Sequence, residues 1–184
     1  MGDSLGLSIE AAKTDADVIL FCGVHFMAET VKILSPDKIV LLPDDRAGCP
    51  MADMITANQL KSLKAQHPEA AVLCYVNTSA EVKAECDLCS SANAVSMAKD
   101  VLGSETEIIF VPDKHLADYA SSQTGREFII WNGYCPTHAK ILPQDILREK
   151  TAHPSAPVIA HPECTPKVRD LADPVFRFIK RVTN

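Results

Sequence analysis

Short runs rich in Val, Ile and Leu recur along the chain, and within each run the apolar residues follow one another instead of alternating with polar ones. The runs occupy 18–22, 39–42, 71–76, 108–111, 128–131 and 158–160. Near-continuous apolar segments of this length are typical of parallel strands that are covered on both faces. We therefore predict six buried strands.

Stretches with helical periodicity separate several of these runs, at 4–13, 26–34, 56–67 and 91–101. Thr56 is placed to act as the N-cap of the third stretch, because a threonine hydroxyl can accept a hydrogen bond from the first helical turn. Alternating strands and helices predict an α/β fold with parallel sheets and right-handed crossovers.

A weak internal repeat runs through this pattern. Residues 18–32 resemble residues 71–83, and a fainter third copy covers 157–173. The repeat predicts several small, similar α/β units packed around a common centre. His25, Asn77, Cys135 and His161 all follow predicted strands, and groups at the carboxyl ends of parallel strands line ligand crevices. Alternatively, His25 and Asn77 only cap the helices that follow them.

The net charge and the hydropathy of the chain argue against two kinds of partner, nucleic acid and membrane. The 184 residues carry a formal charge of −6, with 18 scattered Lys and Arg, which disfavours nucleic acid as a partner. No apolar run approaches the roughly 18 residues needed to cross a bilayer, and the first residues lack a secretion signal. We expect a cytoplasmic protein without a membrane partner.

The seven cysteines, an odd number, suggest reduced thiols with metal or redox roles. Cys22 and Cys74 lie inside predicted strands, as small buried hydrophobes do. Cys49 precedes Pro50 and Cys135 lies two residues after Gly133, so both are placed in loops at strand ends.

Cys86 and Cys89 form a C-x-x-C pair, a spacing that serves zinc or redox chemistry. The sequence shows no second pair that would complete a zinc site. The segment 161–164 places His161 close to Glu163 before a helix that Pro166 could begin. A histidine and a partly buried carboxylate suit general acid–base catalysis, although a structural cap is the alternative.

The ordered blocks GDSLGLS, FCGVHFMAE, LLPDDRAGCPMADMI, YVNTSAEVKAE, SSANAV, IIFVPDKHLADYA, WNGYC and HPEC together closely resemble the quinolinate synthase family, over residues 2–173. The resemblance implies an enzyme of NAD biosynthesis that condenses iminoaspartate with dihydroxyacetone phosphate to quinolinate, using a 4Fe–4S cluster. It also implies three-layer αβα units in a pseudo-threefold arrangement. We predict units at 1–54, 55–140 and 141–184, with a divergent tail at 174–184.

The resemblance assigns roles to individual residues. Cys49 and Cys135 match the first two of the three cysteine ligands of the family. Because three thiolates bind three irons, the fourth iron stays open and would act as a Lewis acid. His161 and Glu163 match the acid–base pair. The positions that match substrate-binding residues of the family are Ser4, Tyr75, Asn77, Ser91, His161 and Glu163, and Tyr75 also matches a catalytic position.

Two departures from the family pattern lead to further expectations. The first strand of the family, and the segment with its third cysteine, have no counterpart in this sequence, and Cys164 does not match a ligand. We therefore expect the chain alone to bind little cluster and to turn over little substrate. The alternatives to an active enzyme are an inactive remnant of it and a small zinc-binding α/β protein. The resemblance also allows a transient contact with L-aspartate oxidase.

Overall fold

A computed structural model describes residues 4–91, 93–103, 106–173 and 175. The predicted tail at 174–184 lies, apart from Val175, outside the described residues. The strands are β1 (Val18–Leu20), β2 (Ile39–Leu41), β3 (Ala71–Tyr75), β4 (Leu88–Ser90), β5 (Ile108–Val111) and β6 (Phe128–Ile130). The helices are α1 (Ser4–Lys13), α2 (His25–Leu34), α3 (Ala57–Gln66), α4 (Ala80–Lys83), α5 (Ala94–Asp100), α6 (Lys114–Thr124), α7 (Pro136–Ala139), α8 (Pro143–Ala152) and α9 (Pro166–Arg169).

The described strands form two parallel sheets, which confirms the predicted α/β class. One sheet holds β1 and β2, and the other has the order β4-β3-β5-β6. The register of the larger sheet pairs Leu73 with both Leu88 and Phe110. None of the helices in the described part of the chain is long and apolar enough to cross a membrane.

The larger sheet is the middle layer of an αβα sandwich. On one face, Leu73 and Phe110 pack with Ala98 of α5 and Leu116 of α6. On the other face, the side chains that alternate with these pack against Leu60 of α3 and Val82 of α4. Because β3 and β5 are covered on both sides, their sequences contain no polar alternation.

Two strand predictions need correction. β1 and β2 are not covered on both faces by the described residues, since Leu20 is 61% exposed and Ile39 is 57% exposed. Residues 158–160 are not a strand in the structure: among the described residues only Ala160 forms a bridge, with Val175, and a strand requires a continuous paired neighbour.

The predicted N-cap at Thr56 is confirmed. Its hydroxyl oxygen accepts a hydrogen bond from the backbone N–H of Gln59 at 3.3 Å, while its own N–H donates to the Gln59 side chain at 2.9 Å. This reciprocal capping box starts α3 at Ala57. The helix at 91–101 is shorter than predicted, and α6, α8 and β4 were not predicted.

Candidate functional site

The loop that follows β2 carries Cys49 to the end of the larger sheet. Met51, two residues on, is buried in the apolar cluster around Leu73. The indole N–H of Trp131 donates to the backbone carbonyl of Met54 at 2.9 Å. These contacts join the Cys49 loop to the loop that follows β6, which contains Cys135.

Asp113 holds the Cys135 loop in place. Its buried carboxylate caps α6, because Oδ1 accepts hydrogen bonds from the N–H groups of His115 at 2.8 Å and Leu116 at 2.7 Å. The other oxygen accepts from the N–H of Cys135 at 3.0 Å. Burial raises the pKa of Asp113 to about 6, although these three backbone donors oppose the rise.

Gly133 allows this loop to approach the end of β5. It pairs with Asp113 in a parallel bridge, and a Cβ at this position would lie 2.3 Å from the carbonyl oxygen of Pro112. A side chain would therefore push the loop away from the strand. The glycine that precedes Cys135 has a packing reason for its presence.

The thiols of Cys49 and Cys135 share one electrostatic environment. Both are half-buried, are free cysteines and pack against the same apolar cluster. Burial raises the pKa of Cys49, and negative charge on Cys135 and Glu163 raises it further, while N–H groups of Met51 and Ala52 oppose the rise. The two thiols therefore lie close enough to influence each other electrostatically.

Glu163 lies at the centre of a group of buried or half-buried side chains, and it is only 3% exposed. Its Oε2 lies 3.0 Å from Nδ1 of His138, close enough for an ion pair but off the line of a hydrogen bond. Its Oε1 lies 3.8 Å from Nδ1 of His161. The hydroxyl of Tyr75 lies near the same carboxylate and interacts with it electrostatically.

The protonation preferences of this group differ from residue to residue. Burial would raise the pKa of Glu163, but contacts with His138 and Tyr75 outweigh it and hold that pKa below its ordinary value. Burial lowers the pKa of His161. Contacts with Cys135 and then Glu163 raise the pKa of His138 to about 10. A carboxylate, a neutral imidazole and an imidazolium therefore lie side by side at neutral pH.

His138 is the site residue that the sequence did not reveal. Its ring stacks on His161, with the centroids 4.9 Å apart. The potential ligand atoms of Cys135, His138 and Glu163 all lie within 4.8 Å of one another, a spacing that could hold a metal ion. The Cys-Pro-Thr-His spacing was the available signal, since a residue at the start of a helix and the residue three positions later lie on the same face.

The segment that carries Glu163 is anchored to α6 by Arg169. The guanidinium of Arg169, a residue that is 8% exposed, donates from Nη1 to the carbonyl of His115 at 2.9 Å and forms an ion pair with Asp118. Because Asp113 caps the same helix, α6 positions both the Cys135 loop and the Glu163 loop.

The remaining predicted site residues make fewer contacts with the group of side chains around Glu163. The side-chain oxygen of Asn77 is buried and has no hydrogen-bond partner among the described residues. Ser91 donates from its hydroxyl and its N–H to Asn93. Ser4 begins α1, and no hydrogen bond or ion pair among the described residues joins it to Tyr75 or to either thiol.

His25 lies on the other side of Cys49. It begins α2 and its Nδ1 lies 3.9 Å from Oε1 of Glu29, within a cavity of about 250 Å³ that Cys49 also lines. Cys164 is buried in a separate apolar cluster with Ala160 and Val168, as expected of a cysteine that does not bind metal.

The profile of the family described as Quinolinate synthetase A protein matches residues 1–178. The chain belongs to this family. It is 57% identical over 175 residues to the quinolinate synthase of Geobacter sp. strain M21, and 56% identical over 176 residues to quinolinate synthase 1 of Methanosarcina acetivorans. Each alignment covers 95% of this chain and 57% of the relative. The chain therefore spans somewhat more than half the length of these quinolinate synthases.

A third relative extends the match over the whole chain. The quinolinate synthase of Dehalococcoides mccartyi strain ATCC BAA-2266 is 53% identical over 184 residues, which is 100% of this chain and 60% of the relative. The resemblance to the quinolinate synthase family predicted from the sequence motifs is confirmed.

Proposed function

We propose that this chain contributes to a quinolinate synthase active site in NAD biosynthesis, where iminoaspartate and dihydroxyacetone phosphate condense to quinolinate. Family membership supports the pathway. The observation that carries the proposal is the buried carboxylate of Glu163, which contacts Tyr75 and both site histidines next to two thiols.

The donor set fits part of an iron–sulfur site. Such clusters are held by cysteine thiolates, and Cys49 and Cys135 present half-buried free thiols that influence each other electrostatically. These two residues would hold a 4Fe–4S cluster together with a further ligand. When bound, the cluster supplies an iron that acts as a Lewis acid on a carbonyl or hydroxyl oxygen.

We assign proton transfer to Glu163, His161 and Tyr75. Glu163 is ionised at neutral pH, and burial keeps His161 neutral, so both can accept a proton. Burial, followed by the charge of Glu163, raises the pKa of Tyr75 well above its ordinary value, so its hydroxyl remains a donor. Condensation and dehydration require groups that accept and return protons, which this set provides.

We assign substrate binding to side chains with hydroxyl and amide groups. The unpartnered oxygen of Asn77 is available to a donor on a ligand, and its amide nitrogen can donate to a carboxylate. Ser91 and Ser4 offer hydroxyls that bind carboxylate or phosphate without adding charge. We propose L-aspartate oxidase as a partner, because it is a source of iminoaspartate. We also propose a cytoplasmic location.

Anaerobic reconstitution with ferrous iron and sulfide tests the proposal. We expect the wild-type chain to retain more iron and sulfide than Cys49→Ala or Cys135→Ala, and the loss of an exposed cysteine in Cys22→Ser to change nothing. An iron content below that of one 4Fe–4S cluster per chain would agree with our expectation that the chain alone binds little cluster. Equal iron in all four proteins would contradict the ligand assignment.

The same experiment separates the alternatives. An inactive remnant retains neither iron nor zinc, whereas a zinc-binding protein retains zinc without sulfide after purification in metal-containing medium. Quinolinate formed from dihydroxyacetone phosphate and iminoaspartate generated in the reaction tests the activity directly. Quinolinate in the wild type and none in Glu163→Gln is the expected result.

A further inference from the structure

A second group of thiols lies on the opposite face of the larger sheet from Tyr75. Along β3, Leu73 and Tyr75 pack in the cluster next to Cys135, whereas Cys74 packs on the other side with Val72 and Val82. Cys74 is paired in register with Cys89 of β4. Partners in register point to the same face of a sheet, so their thiols lie side by side.

The thiols of Cys86 and Cys89 lie beside that of Cys74. Cys86 packs against the apolar cluster that contains Cys74, and its thiol donates to the carbonyl of Val82 at 3.0 Å. The thiols of Cys86 and Cys89 both influence that of Cys74 electrostatically. Cys74 is buried, Cys86 is half-buried and Cys89 is exposed. One thiol is thus open to a reagent in solvent while its partner is protected within the sheet.

A lysine accompanies the thiols. Lys83 is largely buried, donates a hydrogen bond to the carbonyl of Thr78 and interacts electrostatically with Cys74, Cys86 and Cys89. An ammonium group beside a cysteine stabilises the thiolate that forms when the cysteine reacts. The group therefore contains an accessible thiol, a resolving thiol and a compensating positive charge.

The backbone spacing also suits a covalent bond. Neighbouring strands lie roughly 4.8 Å apart, and disulfides join Cα atoms separated by about 4.4–6.8 Å. We propose that Cys74 and Cys89 form a reversible disulfide on reaction with a low-molecular-weight disulfide, for which oxidised glutathione is the probe. The assignment does not depend on the proposed function, since neither cysteine belongs to the candidate site.

The reaction proceeds in two exchanges. The sulfur of Cys89 loses its proton and attacks one sulfur of oxidised glutathione, which forms a mixed disulfide and releases one reduced glutathione. The sulfur of Cys74 loses its proton and attacks the sulfur of Cys89, which closes the cross-link and releases the second glutathione. The two protons end on the two released thiols, and two electrons pass from the protein to the reagent.

The cross-link would fasten an edge of the sheet next to substrate-binding positions. β4 is three residues long and, in the described sheet, pairs only with β3. Cys74 immediately precedes Tyr75, and Ser91 follows β4 directly. A bond between Cys74 and Cys89 would hold Tyr75 and Ser91 at a constant separation.

Peptide mapping after incubation with oxidised glutathione tests the proposal. Contact with the thiol of Cys86, as the largest cause, raises the pKa of Cys74 to about 12, and contact with Cys74 raises the pKa of Cys89 well above its ordinary value. Little thiolate is therefore present at neutral pH, the exchange is slow, and the incubation is run to equilibrium. Trypsin cleaves at Lys83 and separates Cys74 from the other two cysteines. An enzyme that cleaves before Asp87 then separates Cys86 from Cys89. We expect a Cys74–Cys89 cross-linked pair in the wild type that disappears on treatment with dithiothreitol.

Matched variants complete the test. Cys86→Ser and Cys22→Ser are expected to keep the Cys74–Cys89 pair, whereas Cys89→Ser is expected to lose it while retaining a wild-type circular dichroism spectrum. A cross-link between Cys86 and Cys89, one between Cys74 and Cys86, or a stable glutathione adduct on Cys89 would each overturn the proposal. So would a wild-type protein whose Cys74 and Cys89 remain fully reduced.

Discussion

Nδ1 of His138 lies 3.0 Å from Oε2 of Glu163, although the two residues belong to different segments of the chain. His138 follows Cys135 by three positions, and Glu163 also contacts Tyr75. The ion pair therefore connects a proposed cluster ligand to the proposed proton-transfer group. Removing either partner would leave an uncompensated group in a buried environment.

This relationship predicts a pH dependence of stability in the metal-free chain. The pKa of His138 is raised to about 10 in the folded state, above its ordinary value of 6.5. A raised histidine pKa gives stability that is complete below the unfolded value and is lost as the pH rises through the folded value. We expect the free energy of unfolding to fall between pH 7 and 10, and to fall less steeply in His138→Gln.

Urea denaturation at a series of pH values measures this effect. The exposed histidine variant His153→Gln is the control, and its pH profile is expected to match that of the wild type. Identical slopes for the wild type and His138→Gln would show that the ion pair does not form in solution.

Substituting the buried carboxylate predicts a loss of catalysis. Glu163→Gln keeps the shape of the side chain but removes the negative charge that accepts a proton, so we expect quinolinate formation to fall roughly 10²–10⁴-fold. The measurement is quinolinate produced by the reconstituted protein, with iron content determined in parallel. The exposed variant Glu149→Gln is expected to form as much quinolinate as the wild type. A Glu163→Gln protein with wild-type activity would exclude the proton-transfer role.

A larger residue at Gly133 is predicted to displace the Cys135 loop. A methyl group there would lie 2.3 Å from the Pro112 carbonyl oxygen, and such overpacking costs about 1–3 kcal/mol of unfolding free energy. We expect Gly133→Ala to unfold at lower urea and to retain less iron. At Gly48 the added methyl would meet its nearest atom at 3.6 Å, so Gly48→Ala is expected to be as stable as the wild type.

Removing the cap of α3 is predicted to destabilise the folded chain modestly. Thr56→Ala deletes the hydroxyl that accepts from Gln59, a loss of about 1 kcal/mol. The control is Ser62→Ala on the exposed face of the same helix, where alanine is the better helix former. Thermal or urea denaturation distinguishes the two, and equal stability would mean that the cap does not contribute.

The sequence by itself determined the elements that follow local rules. Uninterrupted apolar runs predicted parallel strands, and β3 and β5 are indeed buried on both faces. Thr56 predicted the start of α3 because capping depends on residues within one turn. The ordered motifs around Cys49 and Cys135 were sufficient to predict the family.

Only the tertiary structure decided which distant residues meet. It placed His138 against Glu163, and it placed Cys74 in register with Cys89 and in the same apolar cluster as Cys86. Contacts between distant segments depend on sheet order and on helix packing, which short-range periodicity does not encode. The exposure of β1 and the single bridge made by residues 158–160 differ from prediction for the same reason, since burial and strand pairing require a neighbour elsewhere in the chain.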